Sequence, residues 1–189
     1  MKLSAVLFAC LALAPVAASA ANFDYQYAEL SYQRTAAHVG DGAKGPAIQF
    51  TYAFSGMDLQ LLAGVARLDT PASPADINNH NYWVGFRGED SFGNDTDFYT
   101  DILYLNNRTA IQSRSSTDNG YKLTLGVRHR MASRFEFDAS ASHYYLTQGI
   151  NEAAVGIVFN ATRRFALGLS YAHDSQLDNT TTLRFRVYY

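Results

Sequence analysis

The stretch Ile48-Gln49-Phe50-Thr51-Tyr52-Ala53-Phe54-Ser55-Gly56-Met57-Asp58-Leu59-Gln60-Leu61-Leu62-Ala63 decides the fold. Ile48, Phe50, Tyr52 and Phe54 alternate with Gln49, Thr51 and Ala53. A strict period of two is the mark of a strand with two unlike faces. Ser55-Gly56 then interrupts the pattern, and Met57, Leu59, Leu61 and Ala63 resume it. Directly opposed residues of an antiparallel hairpin share a face. A two-residue turn at Ser55-Gly56 therefore predicts the pairs Phe54 with Met57, Tyr52 with Leu59, Phe50 with Leu61 and Ile48 with Ala63. All four pairs are apolar.

The same rhythm runs outward along the chain. Ten alternating segments lie at roughly 23–35, 45–54, 57–68, 80–88, 97–106, 119–131, 135–146, 151–160, 164–173 and 179–189. Each is rich in aromatic and β-branched residues and ends at turn-forming residues. A three-residue turn after Met131 aligns Met131 with Phe135 and Val127 with Ala139. The opposite face then sets Arg130 against Glu136 and Arg128 against Asp138. A slip of one residue would put charges opposite phenylalanines. The connections near 36–44, 69–79 and 107–118 read as longer polar loops, and those after Phe54, Met131 and Asn160 as short turns. The piece 89–96 breaks this alternation, because it falls where a short turn is due.

Composition removes other classes. Of 189 residues, 48% are hydrophobic, 14% aromatic and 17% charged, too apolar for a disordered chain. Seventeen acidic residues against fifteen basic ones leave no cationic excess for a nucleic-acid partner. The single cysteine, Cys10, excludes an intrachain disulfide and a multi-cysteine metal site. Residues 1–20 read as a secretory signal peptide: Lys2, an apolar run from Leu3 to Ala14, Pro15, and a small-residue cleavage pattern at Ala18-Ser19-Ala20. Residues 21–189 then form one β-barrel domain. After Ala21 no apolar run reaches the ~18–20 residues of a membrane-crossing helix.

Alternation alone does not say which face is outside, since a soluble barrel turns its apolar face inward. The distribution of aromatics favours a membrane. Phe54, Phe86, Phe98, Phe135, Phe159, Phe165 and Tyr189 fall at one end of the apolar face. Tyr32, Tyr82, Tyr104, Tyr121, Tyr145 and Tyr171 fall toward the other, with aliphatic residues between. Two aromatic girdles match two lipid–water interfaces. The polar face mixes Gly64, Gly85, Gly126, Gly156 and Gly168 with Trp83, Tyr99 and Tyr144, as in a filled, narrow lumen. The expectation is an all-β, closed, antiparallel, transmembrane up-and-down β-barrel of ten strands, with eight as the alternative count.

The ending Leu183-Arg184-Phe185-Arg186-Val187-Tyr188-Tyr189 resembles the C-terminal signal of small outer-membrane β-barrels of Gram-negative bacteria. The apolar positions Leu183, Phe185, Val187 and Tyr189 carry the resemblance. Phenylalanine is the usual last residue of that family, and Tyr189 is a variant of it. The resemblance implies an outer-membrane location, contact with membrane lipid and lipopolysaccharide, and recognition of the last strand by the barrel-assembly machinery. It implies no cofactor, and it is most similar to the porin-like group of short-looped barrels.

The expected function is that of a structural or narrow-pore barrel without catalysis. Expected lumen acids are Glu29, Asp58, Glu89, Asp101, Glu136, Asp138 and Glu152, and bases are Arg87, Lys122, Arg128, Arg130, Arg184 and Arg186. Near balance suits a plugged lumen better than a selective pore. The expected network joins Arg128 to Asp138, Arg130 to Glu136, and Glu29 to Arg184 or Arg186 where the first and last strands meet. Two alternatives remain open. His173-Asp174-Ser175 is similar to the His-x-Ser motif of lipid A deacylases, in which a histidine activates a serine, although the downstream glutamate is missing. A soluble periplasmic barrel holding an apolar ligand is the other. None of the five histidines has metal-site spacing.

Overall fold

The computed structural model describes residues 23, 25–36, 42–70, 77–111, 114–176 and 178–189. The segment 1–20, read as a signal peptide, lies outside the described residues, as does His38. Ten strands follow in order: β1 (Tyr27–Ala36), β2 (Lys44–Ala53), β3 (Leu59–Thr70), β4 (Ile77–Phe92), β5 (Thr96–Ile111), β6 (Arg114–Ala132), β7 (Phe135–Tyr145), β8 (Gly149–Asn160), β9 (Phe165–Asp174) and β10 (Asn179–Tyr188). Each pairs antiparallel with its sequence neighbour, and β1 pairs with β10, so the sheet closes into a barrel. Ten is the strand count read from the sequence.

Several sequence-level details are corrected. The hairpin of β2 and β3 pairs Tyr52 with Leu61, Phe50 with Ala63 and Ile48 with Val65, two residues away from the expected register. A shift of two keeps every side chain on its face, so the apolar pattern is satisfied equally well. The longer turn is closed by Phe54 N–H donating to Leu59 O at 3.0 Å and Met57 N–H to Phe54 O at 3.1 Å. Asp58, expected in the lumen, lies in this turn. The piece 89–96 is largely strand: β4 runs on to Phe92 and β5 starts at Thr96. Gly93, with φ 72°, takes the left-handed conformation that the tight turn between them needs. Within the supposed loop at 107–118, residues 107–111 extend β5 and residues 114–118 open β6.

In the hairpin of β6 and β7, Val127 opposes Ala139, Arg128 opposes Asp138 and Arg130 opposes Glu136. The irregularity between Arg130 and Ala132 places Ala132, not Met131, opposite Phe135. At the other end β6 overruns β7. Residues Arg114–Gly120 pair with β5 on one edge, and the pairing with β7 begins only at Tyr121.

The apolar face points outward. Leu30, Phe50, Val84, Leu125, Ile157, Leu169 and Leu183 are all about half exposed. Tyr32, Tyr82, Tyr121, Tyr145 and Tyr171 form the girdle at the end where β1 finishes, and Phe86, Phe98, Phe135, Phe165 and Tyr189 the girdle at the end where β1 begins and β10 finishes. Edge-to-face contacts such as Tyr104 with Tyr121, 5.7 Å between centroids, tie neighbouring strands within a girdle. An exposed apolar belt of this extent is stable in lipid, not in water. It removes the soluble barrel with an inward apolar face.

Candidate functional site: the lumen

The inward positions of the half where β1 begins and β10 finishes hold charge. On β1 and β10, Arg186 Nε donates to Glu29 Oε2 at 2.5 Å, and Arg184 Nε lies 3.9 Å from Glu29 Oε1. On β4 and β5, directly opposed Arg87 and Asp101 form a two-pronged pair at 2.6 and 2.8 Å. On β6 and β7, Arg128 Nε is 4.0 Å from Glu136 Oε2. These groups are almost wholly buried apart from Arg184. A buried charge is costly unless paired, which is why acids and bases stand on adjacent strands here.

Two of the expected pairings differ. Arg128 reaches diagonally to Glu136 rather than across to Asp138, whose Oδ2 accepts the Tyr99 hydroxyl at 3.0 Å. Arg130 lies 3.9 Å from Asp95 in the β4–β5 turn rather than against Glu136. Glu136 instead accepts the Asn160 amide at 2.6 Å. Register fixes which backbone positions are opposed, but long arginine side chains span one position further.

The largest departure from the sequence reading, which counted residues 23–26 as strand, is at Phe23 and Tyr25, whose side chains lie inside the barrel. Phe23 and Tyr25 are buried, and the Tyr25 hydroxyl donates to Asp97 Oδ2 at 3.1 Å. Thr51 on β2 donates its hydroxyl to the Tyr25 carbonyl. Guanidiniums surround the rings: Arg128 sits 4.7 Å from the Tyr25 centroid and 5.5 Å from that of Phe23, Arg87 5.9 Å from Tyr25, and Arg130 4.9 Å from Phe23. One segment that touches inward residues of β2, β4, β5 and β6 crosses the lumen. Asp97, fully buried, was missed because it follows the misread 89–96 piece. The alternation of Phe23, Tyr25 and Tyr27 is the only signal for this segment, and it is also a strand signal.

Two aromatic rings complete the filling. Tyr99 lies opposite Gly126, and Trp83 opposite Gly64. A Cβ on Gly126 would sit 2.2 Å from Tyr99 Cζ, and one on Gly64 would sit 2.2 Å from Trp83 Cζ2. Glycine is required where each ring lies flat across the neighbouring strand.

Beyond the charged layer the lumen opens into a cavity of about 410 Å³. All ten strands contribute to its lining, and it reaches Thr35, Asn107 and Thr180 at the far end. One wall holds Leu62, Leu103 and Leu105 packed together with Trp83 and Tyr144 against them, and beside it Lys122, opposite Leu103, pairs with Glu152 at 3.1 Å and donates to the Tyr144 hydroxyl at 2.7 Å. The other carries hydroxyls and amides, including Ser31, Gln33, Ser170 and Thr182.

The His173-Asp174-Ser175 motif is not assembled as a dyad. His173 Nδ1 is bonded to Asn179 Oδ1 at 2.9 Å, while Ser175 Oγ accepts the Asn151 N–H at 3.0 Å. Both lie exposed at the rim. Among the described residues, no group of three or more His, Cys, Asp and Glu is placed to hold a metal.

A closed antiparallel barrel with a lipid-facing apolar belt and a charged lumen has the fold of small outer-membrane β-barrels. Solved structures agree on the fold. The chain is similar to the NanC porin (TM-score 0.55, 10% identity, 86% of this chain and 100% of that one). It is also similar to the β domain of the Bordetella autotransporter BrkA (TM-score 0.56, 8% identity, 88% and 100%). A third is the KdgM porin, solved with disordered oligogalacturonate (TM-score 0.51, 10% identity, 85% and 99%). No protein-family model matches the sequence, and no curated protein does.

Proposed function

We propose that the protein is a non-catalytic outer-membrane barrel, structural or at most a narrow pore, whose lumen is closed at the end where the termini lie. The observation that carries this reading is the burial of the Phe23 and Tyr25 rings among Arg87, Arg128 and Arg130. In a lumen where paired charges occupy the remaining space, there is no wide aqueous path. Export would rest on the signal peptide at 1–20, and the termini would lie in the periplasm, as an even strand count allows. Leu183, Phe185, Val187 and Tyr189 all stand on the outward face of β10 or just beyond it, where an assembly factor could read them. Lipid and lipopolysaccharide would contact the apolar belt.

Planar-bilayer conductance of the refolded mature chain tests the reading. The wild type should pass little or no current. The double variant Phe23→Ala, Tyr25→Ala should raise the single-channel conductance several-fold, with the heat-modifiable gel shift of a folded barrel retained. A wild type that conducts like an open porin, or a double variant with unchanged conductance, would refute closure by this segment.

A further inference from the structure

The cavity beyond the charged layer has features that closing a barrel does not require. We propose that it is a binding site for an amphiphilic anion, with the acid group on Arg184 and the apolar chain along the wall of Leu62, Leu103, Leu105 and Trp83.

The cluster around Glu29 has more cations than acids. One carboxylate, Glu29, serves two guanidiniums, Arg184 and Arg186. Arg128 lies within electrostatic reach of both Arg186 and Asp138, and its one ion-pair contact among the described residues is the loose 4.0 Å approach of Glu136. Among the described residues, no atom accepts a hydrogen bond from Arg128 Nε, Arg128 Nη1 or Arg186 Nη1, although both side chains are more than nine-tenths buried and line the cavity. Those atoms are covered by protein, so their charge is felt by a ligand rather than touched. Arg184 is the guanidinium that reaches the open space: its side chain is 25% exposed, and its Nη2 donates to Ser170 Oγ at 2.8 Å. An anion there would meet a partly free guanidinium backed by two more, in a place shielded from bulk salt.

The apolar wall supplies the other half. Leu103 and Leu105 follow Asp101 on the inward face of β5, so the wall rises from the charged layer toward the far rim. Trp83 is held by its indole N–H, which donates to Gln49 Oε1 at 3.1 Å, so the ring is a fixed surface. The volume of about 410 Å³ falls in the range of small-molecule sites. These observations fit a single-chain acid with an unbranched apolar tail, and they hold whether or not the plug passes ions.

Trp83 is the only tryptophan of the chain, so its emission reports on this cavity. The refolded mature protein in phosphatidylcholine nanodiscs is titrated with decanoate, decanol and acetate. Decanoate should give a saturable shift in Trp83 emission, decanol should bind at least tenfold more weakly, and acetate should give no shift at equal concentration. Arg184→Gln should weaken decanoate at least tenfold and leave decanol unchanged, and Leu105→Asn should weaken both. Equal affinities for decanoate and decanol in the wild type, or a shift that rises linearly without saturation, would overturn the proposal. That comparison needs no variant, so it stands even if Arg184→Gln fails to fold. Conductance is read separately, which keeps failure of this site distinct from failure of the plug.

Discussion

Replacing Glu29 with glutamine removes the acid from the seam where β1 meets β10. Glu29 and Arg186 are each less than a tenth exposed and are joined at 2.5 Å, with Arg184 at 3.9 Å from the other oxygen. Breaking a buried pair leaves an uncompensated charge, at a cost of about 3–5 kcal/mol. Two guanidiniums lose their partner here, so Glu29→Gln should fall in the upper part of that range, about 4–5 kcal/mol. Arg186→Gln leaves Glu29 with Arg184 and should cost nearer 3 kcal/mol, the lower end. The double variant should cost clearly less than the sum, with a coupling of about 2 kcal/mol. The assay is reversible urea unfolding in phospholipid vesicles, followed through the emission of Trp83. Single costs under ~1 kcal/mol, the value of a solvated pair, would refute a dry seam and with it the picture of a filled lumen.

Other expectations follow from the same geometry. Gly126→Ala would press a Cβ to 2.2 Å from the Tyr99 ring, and the forced displacement should cost about 1–3 kcal/mol in the same unfolding assay. Leu169→Arg, at mid-height on the lipid face of β9, should cost about 2–4 kcal/mol and lower the yield of heat-modifiable barrel. Arg67→Ala removes an ion pair with Asp69 whose side chains are 57% and 47% exposed, and it should change stability by under ~1 kcal/mol.

Much of this architecture is legible in the chain because a period of two is a global signal. It marks each strand, and at Val127, Arg128, Ala139 and Asp138 it fixes the register as well, since charge and apolarity both constrain that hairpin. The hairpin of β2 and β3 shows the limit. Its pattern repeats every two residues, so pairings of Tyr52 with Leu59 or with Leu61 look alike, and only the turn geometry separates them. The polar 89–96 and 107–118 pieces hid strand extensions, because residues beyond the membrane need not alternate. The lumen charges could be placed on the inner face but not paired, since a side chain long enough to skip a position makes the opposite residue one candidate among several. Phe23 and Tyr25 alternate like a strand, and burial inside the barrel leaves no separate trace in the sequence.

The overrun of β6 past β7 has a consequence for how the molecule meets its own copies. Seven residues at about 3.4 Å each make a strip of roughly 24 Å whose outer amides and carbonyls face no partner strand among the described residues. Such a border is the usual seed of fibrils, because another chain can add itself there. The strip reads Arg114-Ser115-Ser116-Thr117-Asp118-Asn119-Gly120, without one large apolar side chain. A newcomer would gain hydrogen bonds that water already supplies and no greasy surface to bury. Asp118 also reaches over to Thr147, accepting its hydroxyl at 2.9 Å, so a neighbouring turn leans across part of the border. The barrel thus carries a raw margin into crowded surroundings, with little written into it that would reward another chain for pairing there.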